Sequence, residues 1–310
     1  MNTLLVITGP TAVGKTDLCL NIAESYGIPI INADSRQIYQ GMQIGTAAPT
    51  EIQLARVKHY FVGTLDLDAY YNASMYEQEV MELLSKMFEG RNDGIALMTG
   101  GSMMYIDAVC NGIDDIPTIR DDVRELYKRR LADEGLQTLL NELKEKDPEY
   151  YDIVDRNNAR RVVHGLEICH QTGLTYTSFR VRERKQRPFR IVKIALNRQR
   201  ETLYQRINSR VDSMMEEGLE EEAMRLYPMR QLNALNTVGY KEMFNYIDGH
   251  WSLDEAVERI KGNTRRYARK QLTWYKKDDD IVWFDAAETE KINNFIVDKL
   301  TSEQVDEWTE

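Results

Sequence analysis

A segment near the start of the chain combines the residue types that bind phosphate. Gly9-Pro10-Thr11-Ala12-Val13-Gly14-Lys15-Thr16 fits the pattern G-x-x-x-x-G-K-[ST] without a gap. Its two glycines permit backbone turns that aim successive N–H groups at one anion. Lys15 adds a positive charge, and the hydroxyl of Thr16 can reach a magnesium ion. We therefore predict a phosphate or diphosphate site over residues 9–16, with Thr16 as a ligand of Mg²⁺.

A second group of polar residues, Asp34-Ser35-Arg36-Gln37, follows the apolar run Ile28–Ala33. A third, Gly100-Gly101-Ser102, follows the apolar run Ile95–Thr99. In open α/β sheets, ligands bind just beyond the carboxyl ends of the strands. Both groups are therefore expected at the edge of the sheet that carries the phosphate loop. A plain helix-capping role stays open for Asp34 and for Ser102.

The elements that position these residues repeat the order strand, loop, helix. Strands are predicted at 4–8, 28–33 and 94–99, and helices follow the first and the third of them. This order favours an α/β fold, a P-loop NTPase-like parallel sheet flanked by helices. Capping boxes are predicted at Ser74-x-x-Glu77 and Ser252-x-x-Glu255.

The character of the sequence changes near Asn111, where charged residues with helical spacing replace the strand pattern. We predict a helical insertion at 112–188 within a core formed by 1–111 and 189–310. A strand at 191–196 is expected to rejoin the sheet, and a last strand is expected at 281–284.

Composition limits the class of protein. The chain has 310 residues, of which 42% are hydrophobic and 29% charged, which is typical of a folded globular protein. No apolar run approaches the roughly 18 residues of a membrane span, so we expect a cytoplasmic protein with no membrane partner. The three cysteines lack metal-ligand spacing and are predicted to be core residues. A monomer is expected because no exposed heptad pattern occurs.

The basic residues are concentrated in two stretches although the net charge is −10. The first basic stretch, 156–190, holds nine Lys/Arg and two Glu, and the second, 259–277, holds eight Lys/Arg and no acid. Phosphate backbones bind to such local surfaces, and Tyr267, Trp274 and Tyr275 could stack on bases. Each stretch could also be a solvated helix face.

Together these segments resemble the tRNA dimethylallyltransferase (tRNA isopentenyltransferase) family. The loop at 9–16 and Asp34-Ser35-Arg36-Gln37-Ile38-Tyr39 begin the resemblance, which continues in the family's order to residue 274. Its further matches are Gly45-Thr46-Ala47, Gly100-Gly101-Ser102-Met103-Met104-Tyr105, Arg206 and Arg210 before Gly218-Leu219, Val238-Gly239-Tyr240-Lys241, and Arg266-Tyr267-Ala268-Arg269-Lys270-Gln271 with Thr273-Trp274. The family moves a dimethylallyl group from its diphosphate to N6 of the adenosine just 3′ of the anticodon. It has a phosphate-loop fold with a helical insertion and uses magnesium. The resemblance therefore implies that 1–111 and 189–310 form the catalytic core and that the insertion at 112–188 binds tRNA.

The resemblance implies a role for particular residues. Asp34 would be the general base that takes the proton from N6. The other implied catalytic residues are Lys15, Thr16, Ser102, Arg206 and Arg210. Contacts to tRNA are implied for Asp34, Ser35, Arg36, Gln37, Ser102, Arg124, Arg160, Arg161, Val162, Val163, His164, Asn236, Thr237, Val238, Gly239, Tyr240 and Lys241. Three positions depart from the family pattern, namely Ser102 for threonine, His164 for arginine and His59-Tyr60 for a histidine pair.

Three other functions share some of these features. A small-molecule kinase also begins with this loop, but here the strand at 95–99 ends in Gly100-Gly101, where an NTPase commonly has a magnesium-binding aspartate. Transfer of the same prenyl group to free AMP or ADP would not need the insertion or the two basic stretches. An inactive RNA-binding module would not need Lys15, Thr16 and Asp34.

Overall fold

The computed structural model describes residues 1–181 and 184–301. Arg182 and Glu183 of the first basic stretch lie outside the described residues. Contacts divide the chain into two units. The core unit joins Met1–Cys110 to the described part of Arg187–Glu310, and the inserted unit is the described part of Asn111–Gln186. Among the described helices, none is long and apolar enough to cross a membrane.

The core unit is built on one six-stranded sheet in which every neighbouring pair of strands is parallel. The strands are β1 Thr3–Thr8, β2 Ile30–Asn32, β3 His59–Tyr60, β4 Ile95–Thr99, β5 Arg190–Asn197 and β6 Ile281–Asp285, in the spatial order β3-β2-β4-β1-β5-β6. The predicted α/β fold with a parallel sheet is confirmed. Strand β3 was not predicted, because two half-buried residues give no periodic signal.

Twelve α-helices occur in the described residues. They are α1 Lys15–Tyr26, α2 Glu51–Arg56, α3 Ala73–Phe88, α4 Met103–Asn111, α5 Asp121–Lys146, α6 Pro148–Ile153, α7 Ala159–Thr172, α8 Arg200–Glu216, α9 Leu219–Leu226, α10 Tyr240–Ile247, α11 Leu253–Tyr275 and α12 Thr289–Thr301.

The two faces of the sheet are covered by separate apolar layers, as expected for parallel strands that are buried on both sides. Along β1, Leu4 and Val6 point into one layer, while Leu5 and Ile7 point into the other. All four side chains are at most 1% exposed. This burial fixes the register of β1 and hence the position of the loop that follows it.

The inserted unit has its own apolar core, formed mainly by α5 and α7. Val123, Tyr127 and Leu143 of α5 pack with Val162 and Leu166 of α7. Helix α5 bends at Gly135, whose φ is 78° and ψ 164°. The insertion was predicted at 112–188, and the inserted unit of the structure runs from 111 to 186, so the two ends differ by one and two residues.

The chain returns to the core unit at Arg187, whose guanidinium is held firmly. It donates to the carbonyl oxygens of Ala108 and Val109 at 2.7 and 2.8 Å, and it pairs with Glu77 at 2.5 Å. Both charged side chains are less than 10% exposed. The chain is therefore pinned to the end of α4 where it re-enters the core unit.

One predicted helix start is wrong. Helix α3 begins at Ala73, and its N-cap is Asn72, whose side chain accepts from the Met75 N–H at 2.9 Å. Ser74 therefore lies inside the first turn and does not cap. Glu77 is buried in its ion pair with Arg187 and does not complete a capping box. The predicted N-cap at Ser252 is confirmed, since its hydroxyl accepts from the Glu255 N–H.

Candidate active site

The phosphate loop connects the central strand β1 to the N-terminus of α1. Its backbone has positive φ at Gly9, Ala12 and Gly14 (140°, 63° and 112°). Such alternation turns neighbouring N–H groups toward one side, and the positive end of the α1 dipole lies at the same place. Sequence and geometry thus agree that this loop can hold an anion.

Two N–H groups of the loop have partners within the protein. The Thr11 N–H donates to Oε1 of Gln271 at 2.9 Å, and the Val13 N–H donates to the Pro10 carbonyl at 3.3 Å. The binding of an anion in the loop therefore depends on the remaining N–H groups and on the positively charged side chains around the loop.

Three arginines donate hydrogen bonds to the phosphate loop. Arg206 donates through Nε to the Ala12 carbonyl at 2.8 Å, and Arg210 donates through Nη1 to the Thr11 hydroxyl at 3.1 Å. Both come from α8, one turn apart, as their spacing predicted. Arg198 donates to the Val13 carbonyl at 2.8 Å and was missed by sequence reasoning. Its position directly after β5, at the ligand-binding edge of the sheet, was the available signal.

Lys15 folds back on its own loop. Its Nζ donates to the carbonyl oxygens of Gly9 and Pro10, both at 2.9 Å. Burial, with repulsion from Arg210, lowers the pKa of Lys15 to about 8. Burial also lowers the pKa of Arg210, and the nearby charge of Asp34 opposes that shift. The positive charges of Lys15 and Arg210 are thus held close together, and a bound polyanion would offset the repulsion between them.

Asp34 lies two residues beyond β2, and its two carboxylate oxygens differ. Oδ1 accepts from the backbone N–H groups of Arg36 at 2.9 Å and Gln37 at 3.3 Å. Oδ2 accepts no hydrogen bond from the described residues, and a Cβ on Gly101 would lie 3.3 Å from it. One oxygen therefore orients the side chain while the other is available to accept a proton. The capping role and the general-base role are compatible.

The Gly100-Gly101 turn packs tightly against the end of β2. A Cβ on Gly100 would lie 2.2 Å from the Ala33 carbonyl oxygen, so only glycine fits there. Ser102 is the residue before α4; its N–H donates to the Ala33 carbonyl at 3.0 Å, and its carbonyl accepts from Ile106. The Ser102 side chain is half-buried.

Helix α11 contributes two side chains to the same place. Gln271 is fully buried and donates through Nε2 to the Gly101 carbonyl at 2.8 Å. The hydroxyl of Tyr267 donates to that same carbonyl at 3.0 Å. Burial raises the pKa of Tyr267, and the charge of Asp34 raises it further. Neither residue was predicted to lie in the active site, because this helix was assigned to RNA binding by its charge and Tyr267 was expected only to stack on bases. Tyr275, which was also expected to stack on bases, is 2% exposed, so its side chain does not support that expectation.

A buried carboxylate holds the loop between β2 and α2. Glu222 of α9 accepts from the N–H groups of Ile44 at 3.0 Å and Gly45 at 2.8 Å. It also accepts from the Tyr240 hydroxyl at 2.6 Å. The far side of this loop is held by Gln37, whose amide donates to the carbonyls of Thr46 and Ala47.

The segment 236–241 lies beside the Asp34 turn but is not uniformly accessible. Arg36 donates to the carbonyls of Asn233 and Ala234 at 2.8 and 3.2 Å, which ties the Asp34 turn to the residues just before this segment. Lys241 is exposed, while Asn236, Thr237 and Val238 are half-buried. Gly239 and Tyr240 are buried, and Tyr240 is 0% exposed. The Tyr240 ring is in the core and its hydroxyl is bound to Glu222, so its side chain does not support the predicted tRNA contact at this position.

The predicted residues of the inserted unit lie on α5 and α7. Arg160 and Arg161 are exposed in the first turn of α7, and Val163, His164 and Arg124 are half-buried. Val162 is 0% exposed and packs in the core of the unit, so its side chain does not support the predicted contact. The Nδ1 atom of His164 lies 3.5 Å from Oε2 of Glu167.

A cavity of about 940 Å³ in the core unit brings the predicted groups together. Thr11, Lys15 and Thr16 line it with Asp34, and Arg206 and Arg210 face it from α8. Gln37, Gly100, Gly101, Tyr267 and Gln271 also contribute to its wall. Another part of the wall is apolar, from Ile44, Ala47, Pro49, Leu54 and Met214. Ser102 is outside this lining. The cavity thus offers an anion site, a carboxylate and an apolar surface side by side.

Comparison with known proteins identifies the family. A family model described as IPP transferase matches residues 37–278. The chain belongs to the IPP transferase family. It is 58% identical over 295 residues to tRNA dimethylallyltransferase 1 of Phocaeicola vulgatus, covering 95% of this chain and 98% of the relative. It is 41% identical over 302 residues to tRNA dimethylallyltransferase of Christiangramia forsetii, with 97% and 99% covered. The resemblance predicted from the motifs is confirmed.

Solved structures of IPP transferase relatives share the fold. The crystal structure of full-length tRNA isopentenylpyrophosphate transferase from Bacillus halodurans matches with a TM-score of 0.69 at 34% identity, covering 96% of each chain. A eukaryotic dimethylallyltransferase, described as acting on tRNA, matches with a TM-score of 0.80 at 24% identity, covering 96% of this chain and 80% of the other. The latter match supports the fold alone.

Proposed function

We propose that this protein transfers a dimethylallyl group from dimethylallyl diphosphate to N6 of the adenosine 3′-adjacent to the anticodon (position 37) of tRNA. The product is N6-isopentenyladenosine. The observation that carries this proposal is the cavity, which is lined both by the phosphate loop and by Asp34. Membership of the IPP transferase family and the named activities of its relatives support the same reaction.

The diphosphate leaves as an anion, so its stabilisation is the first requirement. The phosphate loop, Lys15 and Arg210 supply positive potential in a largely buried place, where such charges act more strongly than in water. Arg206 and Arg198 hold the loop carbonyls and add to that potential. These groups bind the diphosphate before, during and after cleavage of the carbon–oxygen bond.

The adenine N6 amine is a poor nucleophile because its lone pair is delocalised into the ring. A carboxylate that accepts the departing proton removes this obstacle, and we assign this role to Asp34, whose Oδ2 accepts no hydrogen bond from the described residues. The adenine must leave its stack to enter the cavity. The apolar wall formed by Ile44, Ala47, Leu54 and Met214 suits the five-carbon chain.

We further propose Mg²⁺ as the cofactor. Mg²⁺ is usually held by one or two protein oxygens together with phosphate oxygens and water. The described residues contain no cluster of three or more His, Cys, Asp or Glu that could hold a metal without substrate. Thr16 is exposed at the start of α1 and lines the cavity, so its hydroxyl fits such a shared site. Bound Mg²⁺ would neutralise charge on the leaving diphosphate.

The binding of tRNA is proposed to use the exposed basic residues. Arg160, Arg161 and Lys241 are exposed in the structure, as are Arg266 and Lys270 of α11. Affinity for tRNA should therefore fall as salt rises.

A labelling assay tests the reaction. Dimethylallyl diphosphate labelled in its carbon chain is supplied with an anticodon stem-loop carrying A37, with the same stem-loop carrying G37, or with AMP. Label should enter only the A37 stem-loop, because guanine has no N6 amine. Transfer to AMP but not to the stem-loop would show a free-nucleotide prenyltransferase. A parallel reaction with labelled ATP and phosphate acceptors would reveal a kinase, and phosphoryl transfer there would refute the proposal.

A further inference from the structure

The side chain of Gln271 joins two segments that are far from it in sequence. Its Oε1 accepts from the Thr11 N–H at 2.9 Å, and its Nε2 donates to the Gly101 carbonyl at 2.8 Å. The amide orientation is fixed by its partners, because a backbone N–H only donates and a carbonyl only accepts. The Gln271 side chain is 0% exposed, so water does not compete for either of its two hydrogen bonds.

Each end of this bridge is part of a larger fixed arrangement. At one end, Thr11 is held by Gln271 through its N–H and by Arg210 through its hydroxyl. At the other end, the Gly101 carbonyl accepts from both Gln271 and Tyr267, which uses both of its lone pairs.

The bridge lies between the two chemical groups of the reaction. A Cβ on Gly101 would be 3.0 Å from Nε2 of Gln271 and 3.3 Å from Oδ2 of Asp34. The Gly101 peptide is therefore next to the proposed base, while Thr11 opens the loop that would hold the diphosphate. A single buried amide spans the distance from one to the other.

We propose that Gln271 is a positioning residue that sets the placement of the phosphate loop relative to Asp34. This inference rests on the proposed prenyl transfer. In that reaction the allylic carbon–oxygen bond breaks, the electron pair stays on the diphosphate, a carbon–nitrogen bond forms and the N6 proton passes to Asp34. If the two sites are misplaced, water attacks the same carbon and loses a proton to solvent. That reaction gives dimethylallyl alcohol and diphosphate without modified tRNA.

Two substitutions distinguish the effects of the two Gln271 hydrogen bonds. Gln271→Met has a similar length and removes both. Gln271→Glu keeps an acceptor for the Thr11 N–H but places a carboxylate against the Gly101 carbonyl. The measurements are kcat, the KM for dimethylallyl diphosphate, and the ratio of prenylated stem-loop to diphosphate released. A purely structural role would leave that ratio at the wild-type value.

We expect kcat to fall in both variants, by about 10²-fold in Gln271→Met, since small misplacements of reacting groups have effects of this size. The ratio should fall well below the wild-type value in both. The KM should rise in Gln271→Met and stay within roughly 3-fold of wild type in Gln271→Glu, where the Thr11 contact remains.

Gln78 provides the matched control, because it is exposed on α3 and outside the cavity lining. Gln78→Met and Gln78→Glu should leave all three measurements unchanged. Circular dichroism melts report folding; if Gln271→Met does not fold, Gln271→Glu decides the question alone. Wild-type kcat and a wild-type ratio in the folded Gln271 variants would overturn the inference. Wild-type protein that releases diphosphate but never modifies the A37 stem-loop would overturn the proposed function instead.

Discussion

Replacing Asp34 by asparagine and by alanine separates its two roles. Oδ1 holds the Arg36 and Gln37 N–H groups, at 2.9 and 3.3 Å, while Oδ2 is the proposed proton acceptor. Asparagine can present its amide oxygen to the same two N–H groups, so the turn should persist. It has no basic oxygen for the N6 proton. Alanine loses both functions.

The expected magnitudes differ between the two variants. A hydrogen bond to a charged acceptor contributes about 1.5–3 kcal/mol to stability. Because the bond from the Gln37 N–H is long and the Asp34 side chain is only half-buried, the two bonds together should contribute less than twice that value. Asp34→Ala should therefore lower the free energy of unfolding by roughly 2–3 kcal/mol. Asp34→Asn should cost about 1 kcal/mol or less, the worth of a neutral hydrogen bond. Loss of a general base lowers the chemical rate by about 10²–10⁴-fold in both.

The assay is single-turnover prenylation of the A37 stem-loop, with urea unfolding and calorimetric binding of dimethylallyl diphosphate measured on the same preparations. Asp34→Asn should bind the diphosphate with wild-type affinity and unfold near the wild-type midpoint, yet react at least 10²-fold more slowly. A rate within 3-fold of wild type would refute the general-base assignment. So would a loss of diphosphate affinity as large as the loss of rate, which would make Asp34 a structural residue.

Two further predictions concern the groups around the cavity. Because the pKa of Lys15 is lowered to about 8, its positive charge is lost as pH rises through 8, and the KM for dimethylallyl diphosphate should rise between pH 7 and 9.5. Lys15→Met should have a high KM with no such rise, and a flat wild-type profile would contradict the assignment. Glu222→Ala leaves the partly buried Ile44 and Gly45 N–H groups and the buried Tyr240 hydroxyl without their acceptor, and it should lower the free energy of unfolding by about 3 kcal/mol. Tyr240→Phe removes only one of these three hydrogen bonds and should cost about 1–2 kcal/mol. Urea unfolding of both variants checks this order, and equal midpoints would contradict it.

Much of the core could be predicted because its signals are local. The apolar runs at 4–8 and 95–99 are strands, and the phosphate loop needs only its own glycines, Lys15 and the helix that follows. Asp34 could be placed at the correct edge because the carboxyl ends of parallel strands meet there. The family's motifs then supplied the reaction.

The errors and omissions involve residues whose partners are distant in sequence. Gln271 contacts Thr11 and Gly101 across separations of 260 and 170 residues. It belongs to the family motif at 266–271, but that motif does not indicate either partner. Tyr240 lies in a motif that resembles an RNA contact, yet its hydroxyl is bound to Glu222 inside the core. Ser74 fitted a capping pattern, but Asn72 competes for the same turn and begins the helix two residues earlier.

The attachment of Arg187 to the Ala108 and Val109 carbonyls bears on how this chain tolerates change. Because re-entry into the sheet is secured inside the core unit, the segment between 110 and 187 behaves thermodynamically as a loop whose ends are already clamped. Doubling the length of such a loop costs only about 0.6 kcal/mol in closure entropy. The inserted unit could therefore be lengthened, shortened or exchanged for another folded unit while the sheet of the core unit keeps its register. In evolutionary terms, the two units can diverge at separate rates within one gene.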